Sequence, residues 1–177
     1  MSEQPYGYPQ QQPWAGPQPG YDPSREPTID EPYYGIKPIA ALKRGFVKYA
    51  RFDGRASRSE YWWFVLLTTV VVGIVGSGVG LSSVVFGEKR GDGSYSVPPL
   101  GLVFLGLLFL LLLALVIPTL SLLFRRLHDG NFSGWMILLR LFPGVGDMIL
   151  TIFAILPSSP AGARFDRYPS RPSTSQY

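Results

Sequence analysis

The sequence predicts an all-α integral membrane protein, and three observations predict it. Three apolar stretches, 61–86, 99–124 and 135–156, are each long enough to cross a bilayer as a helix, which needs about 20 apolar residues. The chain is 46% hydrophobic and only 16% charged, so a water-soluble globule of its 177 residues would lack polar surface to cover its apolar content. The basic residues gather at the ends of the apolar stretches instead of forming a stripe interleaved with aromatics, which excludes nucleic acid as a partner despite a pI near 9.4.

Residues 1–36 form a Pro/Gln/Tyr/Gly-rich tail with almost no aliphatics. It is expected to be disordered, because it cannot bury enough surface to offset chain entropy. From residue 37 the pattern becomes helical and opens with Pro38, where a missing N–H costs nothing. In segment 37–57, Ile39, Leu42, Phe46, Val47, Tyr49 and Ala50 share one side, while Lys37, Arg44, Lys48 and Arg51 share the other; Lys43 falls within the apolar arc. A basic amphipathic helix ahead of a span reads as interfacial, lying on an anionic leaflet, or as packed on the ends of the spans.

Asp53-Gly54 predicts a turn, and Ser57-Arg58-Ser59-Glu60 fits a capping box, so the first span is expected over 58–86. Tyr61, Trp62, Trp63 and Phe64 come next as an aromatic belt at headgroup level. Deeper in, Gly73, Gly76, Ser77 and Gly80 form a small-residue face suited to close helix packing or dimerisation. A short Gly-rich extracytoplasmic connection, 87–98, leads to the most apolar segment, 99–124. Pro118 removes a backbone bond there and should kink the helix, with Thr119 and Ser121 placed to satisfy the freed carbonyls.

Residues 125–134 form a polar loop beginning Arg125-Arg126-Leu127-His128-Asp129, and Ser133 is placed to cap the start of the third segment. That segment, 135–156, holds Arg140 and Asp147, each costing about 2.5–3.5 kcal/mol at a helix centre, and Pro143-Gly144-Val145-Gly146 interrupts it. A full crossing is expected from its length, with a re-entrant hairpin as the alternative. Asp147 is either half of a pair with Arg140, which requires a bend at Pro143 or another subunit, or the cap of the segment's second half, accepting from the amides of Ile149 or Leu150; the cap is favoured. A polar C-terminal tail, 157–177, completes the chain.

The positive-inside rule puts the N-terminus in the cytoplasm, since Lys37, Lys43, Arg44, Lys48, Arg51, Arg55 and Arg58 precede the first span while the connection has only Lys89 and Arg90. A third crossing would send Arg164, Arg167 and Arg171 outside; a hairpin would keep them inside. The N-terminus lacks an apolar stretch behind a basic one, so the first span is expected to direct insertion.

The absence of cysteine excludes disulfides, thiolate catalysis and Cys-based zinc sites, and His128 is the only histidine. No metal, cofactor or catalytic constellation is expected, and the protein reads as non-enzymatic. Arg55, Arg58, Arg125, Arg126, His128 and Asp129 are the candidate residues for binding anionic lipid headgroups or a partner, because guanidinium forks match phosphate oxygens. The competing role is a subunit of a homo-oligomeric transporter or channel with Asp147 in its pathway.

Two blocks, Phe52-Asp53-Gly54-Arg55-Ala56-Ser57-Arg58-Ser59-Glu60-Tyr61-Trp62 and Arg125-Arg126-Leu127-His128-Asp129 with Ser133-Gly134-Trp135, closely resemble the signature of the domain of unknown function 805, the YhaH-like family of small bacterial inner-membrane proteins. The resemblance covers roughly 46–165. It implies a helical architecture and the bacterial inner membrane, and no reaction. The chain departs from the pattern at Gly130-Asn131-Phe132, where a Thr-Gly-Arg-like turn is usual, and at Ala163-Arg164-Phe165-Asp166, where an Asn-Arg-aromatic-Gly ending is usual. Asp147 and the long tail lie outside what the pattern demands.

Overall fold

The computed structural model describes residues 27–166. Residues 1–26, which belong to the tail expected to be disordered, and residues 167–177, which include Arg167 and Arg171, lie outside the described residues. The elements in order are α1 (Pro38–Val47), α2 (Arg58–Phe86), α3 (Pro99–Asp129), a 3-10 helix (Gly134–Leu141), α4 (Val145–Ile155) and a second 3-10 helix (Pro160–Phe165).

The helix α2 starts where its capping box dictates. Ser57 Oγ accepts from the Glu60 amide at 3.2 Å, and the Glu60 carboxylate accepts from the Ser57 amide at 3.0 Å, so two orphan donors of the first turn are satisfied reciprocally. Its 29 residues and the 31 of α3 each exceed the roughly 20 needed to span. Only 6% and 11% of their most apolar windows are buried within the protein, so their apolar faces look outward, as a lipid solvent requires and water forbids.

The two spans meet through small residues, though not through the expected ones. A side chain at Gly78 would run into the Phe104 ring, and one at Gly101 into the Ser82 hydroxyl. Gly73 and Gly80, by contrast, have open space where a Cβ would stand, and Ser77 is exposed. The face containing Gly73, Gly76, Ser77 and Gly80 is therefore not the seam between α2 and α3, apart from the approach of Leu108 toward Gly76.

Helix α3 runs unbroken through Pro118. The carbonyl that Pro118 cannot bond, that of Ala114, accepts from the Tyr49 hydroxyl at 2.7 Å. Ser121 donates instead toward the Tyr49 carbonyl at 2.9 Å. The expectation that Thr119 and Ser121 supply the compensation is thus corrected: Tyr49, just beyond α1, does so, and Ser121 closes a two-way clasp between the segments.

The stretch 27–36 is ordered against the membrane domain, unlike the composition-based expectation for the tail. The Arg44 guanidinium donates to the carbonyls of Thr28 and Glu31 at 3.0 and 2.6 Å, Ser57 Oγ donates to the Tyr33 carbonyl at 2.6 Å, and Ile36 is buried. Backbone acceptors, which composition does not count, hold this stretch in place.

Segment 135–156 is not one crossing helix. The 3-10 helix ends at Leu141, the chain turns through Gly144 at φ +85°, and α4 has 11 residues, about 16 Å in length against a hydrocarbon core of about 30 Å. Gly146 permits the turn, because a side chain there would strike the Leu139 carbonyl. The full crossing expected from length gives way to a helical hairpin.

Candidate charged site at one end of the spans

The start of α2, the end of α3, and α1 lying across them bring the sequence's polar motifs together. Glu60 and Asp129, both fully or nearly fully buried, are its two acidic hubs. Glu60 pairs with Arg44 at 2.8 Å and lies 3.9 Å from Lys48, and it also accepts from the Tyr33 amide at 3.2 Å. Asp129 pairs with Arg126 and accepts from the hydroxyls of Ser158 and Tyr34, the latter at 3.1 Å.

Of the two readings open for α1, packing on the ends of the spans accounts for its charged side. Its Arg44 and Lys48 face inward to Glu60, Gly45 lies against the Phe64 ring, and Ile39 and Val47 face outward. In water an amphipathic helix hides its apolar side; next to lipid the economical arrangement is the reverse, with charge against protein partners and aliphatics outside. Burial pushes the Lys48 amine down to about 8, the attraction of Glu60 only partly opposing it.

Arg126 is fully buried and donates from Nε to the Ala154 carbonyl at 3.0 Å, and also to the Leu156 carbonyl. It therefore caps the C-terminus of α4, where a cation suits both the orphan carbonyls and the helix dipole. Arg125, 1% exposed, donates to the Ser121 carbonyl at 3.3 Å and leaves one terminal nitrogen with no hydrogen-bond partner. Its carbonyl receives the Ala56 amide at 3.0 Å, joining the two motif blocks through the backbone.

The remaining motif residues fasten the segment after α4. Arg55 forms a bidentate pair with Asp166 at 2.7 and 2.6 Å; burial disfavours its charge, but the carboxylate more than compensates and holds the guanidinium above its usual range. The His128 ring stacks on Phe165 at 4.1 Å, and its Nδ1 lies 3.2 Å from the Gly54 carbonyl. Gly54, at φ +80°, in turn donates its amide to the Phe165 carbonyl at 3.1 Å. The Ser159 amide donates to the Asp129 carbonyl at 2.8 Å, so the chain that leaves α3 at Asp129 comes back to Asp129 after the hairpin.

Of the six candidate headgroup or partner residues, then, Arg55, Arg125, Arg126 and Asp129 are turned inward, His128 is stacked, and Arg58 stands exposed. Asp147 lies in the first turn of α4, whose N-cap is Gly144 without any side-chain bond, so the expected capping by Asp147 does not occur. It pairs with Arg140 at 3.4 Å across the bend, with both side chains about half exposed. Among the described residues no cluster of acids, histidine or cysteine has the makings of a metal site. Lys48 and the 27–36 stretch join the site without having been expected there. The spacing of Arg44 and Lys48 is their only signal in the sequence, and by itself it points such a helix's charges toward solvent.

Residues 49–167 match the family described as a protein of unknown function, DUF805. This chain belongs to that family. It is 33% identical over 118 residues to the inner membrane protein YhaH of Escherichia coli strain K12, covering 66% of this chain and 85% of that protein. It is also 33% identical over 121 residues to the inner membrane protein YhaI of the same strain, covering 68% and 87%. No solved structure matches. The family match spans both acidic hubs, the hairpin and the Arg55–Asp166 pair, while Tyr34, Arg44 and Lys48, which pair with those hubs, lie ahead of it.

Proposed function

We propose that this protein is a non-enzymatic organiser of anionic lipids in the inner membrane, acting at the face where α2 begins and α3 ends. The observation that carries the reading is the division of cations at that face. Arg44, Arg55 and Arg126 are consumed by carboxylates within the fold, while Lys37, Lys43, Arg58 and Arg164 are exposed or half-exposed around it. Accessible cations beside the aromatic belt of Trp62 and Trp63 stand at the level of lipid phosphates, to which each contributes about 1 kcal/mol.

Positive charge makes this face the cytoplasmic one. Because the chain comes back to Asp129 after the hairpin, through Ser158 and Ser159, the reading has two crossings, with Arg58 and Arg164 on the same side. The competing reading, a solute path through Asp147 in an oligomer, has less support: Arg140 neutralises that acid, and the pair stands on the outside of the hairpin.

The test is the selectivity of spin-labelled lipids around the reconstituted full chain. Phosphatidylglycerol is expected to be preferred over phosphatidylcholine, and joint replacement of Lys37, Lys43, Arg58 and Arg164 by Gln should remove the preference. An undiminished preference in that variant would overturn the assignment.

A further inference from the structure

The hairpin 134–156 lies against the ends of both spans. It packs on Leu123 and Leu127, in the last two turns of α3, and on Tyr61, in the first turn of α2. Its packing on Tyr61 sets it beside the aromatic belt, and it carries the half-exposed Arg140–Asp147 pair. A half-exposed ion pair is expensive at the bilayer centre and inexpensive at that boundary.

The side of the hairpin turned away from the spans is apolar and open. Trp135 is 75% exposed and Leu141 74%, with Phe142, Val145 and Met148 beside them, and Trp135, Leu138 and Phe142 also border a cleft of ≈ 400 Å³. On α1, Ile39 and Val47 are exposed in the same manner. The opposite end of the spans has no counterpart: its connection carries Glu88, Lys89, Arg90 and Asp92, with only Tyr95 and Val97 as large exposed apolar residues.

We propose that the hairpin and α1 are a one-leaflet wedge, seated among the headgroups and upper acyl chains of the leaflet that receives the N-terminus of α2. The occupant of the open apolar face is the acyl chains of that leaflet, because the face is continuous with the lipid-facing sides of α2 and α3 and is bordered by the exposed Trp62 and Trp63. Amphipathic helices in this position insert about 5–10 Å and sense lipid packing. Adding apolar volume to one leaflet alone favours membranes that bulge toward it, so the protein is drawn to curved membrane. The wedge rests on the preceding reading only for the name of the leaflet, and not for its preference for anionic lipids.

The test exploits a chain with no cysteine. Nitroxides placed by Phe142→Cys and Val145→Cys in the reconstituted full chain, in vesicles of phosphatidylethanolamine and phosphatidylglycerol, should report a depth near that of a label at Trp62 and much shallower than one at Val70. A depth at the bilayer centre, full exposure to water, or a short label–label distance indicating a second copy on this face would each overturn the proposal. The wild-type chain should be enriched several-fold per unit area on small vesicles over large ones. The Leu141→Ser/Phe142→Ser variant, still inserted by α2 and α3 as judged by alkaline extraction, should lose that bias. Equal distribution of the wild type would overturn the wedge even if its depth is shallow. Repeating the depth measurement in phosphatidylcholine separates the two proposals, since loss of lipid selectivity leaves the depth unchanged.

Discussion

The two ends of the spanning pair handle charge in opposite ways. At the connection end, residues 87–98 form a small hairpin with a bridge between Lys89 and Tyr95, and Asp92 is bonded by its near neighbour Ser94. Its charged side chains remain exposed and hydrated. At the other end Glu60, Asp129, Lys48, Arg125 and Arg126 are all buried, and each acid serves partners from several segments. The difference teaches that a charged residue flanking a span is not by itself a ligand site: at one end charges meet water, and at the other they assemble the fold.

Removing a hub should break this contrast most strongly. Glu60→Ala leaves Arg44 and Lys48 buried with no carboxylate and abolishes half the capping box, so a loss of about 3–5 kcal/mol is expected in detergent-solubilised unfolding. Asp92→Asn, at the solvated end, should leave the same transition unmoved.

A smaller effect tests the buried amine. Because Lys48 has a folded value near 8 against an ordinary 10.5, the unfolded chain binds more protons between those limits, and stability should rise as pH increases from about 8 to 10.5. Lys48→Met should flatten that rise and make the protein more stable at neutral pH, Glu60 keeping Arg44 as its partner. A rise of the same size in the variant would assign the titration elsewhere.

Next in size is the clasp at Pro118. Tyr49→Phe removes the donor to the Ala114 carbonyl in a water-poor environment and should cost about 1–3 kcal/mol, whereas the same change at Tyr95, in the connection, should cost little. Smallest is Ser57→Ala, expected to cost about 1 kcal/mol through the lost cap, with fraying of the first turn of α2 visible as faster amide exchange.

Local chemistry is legible in the sequence wherever the partner sits within a turn or so of chain. The capping box at Ser57, the Asp53-Gly54 turn, Pro38 opening α1 and Ser133 capping the 3-10 helix all stand as the residues dictate. So do the two long spans, except that α3 runs on to Asp129, so that residues 125–129, expected in a loop, form its last turn and a half. The illegible part depends on residues far apart in sequence. Pro118 announces a free carbonyl, but the Tyr49 hydroxyl that satisfies it belongs to a segment 65 residues before Ala114. Small residues at Gly73, Gly76, Ser77 and Gly80 have the spacing of a packing face as fully as Gly78 and Ser82 do, and only the position of Phe104 and Gly101 on the neighbouring helix selects the second set.

The sequence by itself determined the membrane class, the family, the ends of α2 and the start of α3, because hydropathy, caps and prolines act through the chain's own next few residues. Tertiary structure alone decided the fate of the charges and of the third apolar segment. Arg44 and Lys48 turn inward because Glu60 is there to receive them, and Arg126 folds the segment back because the carbonyls at the end of α4 need a donor more than solvent needs a guanidinium. In both cases a buried polar group must find its partner inside the protein, and which partner is in reach is a property of the assembled helices.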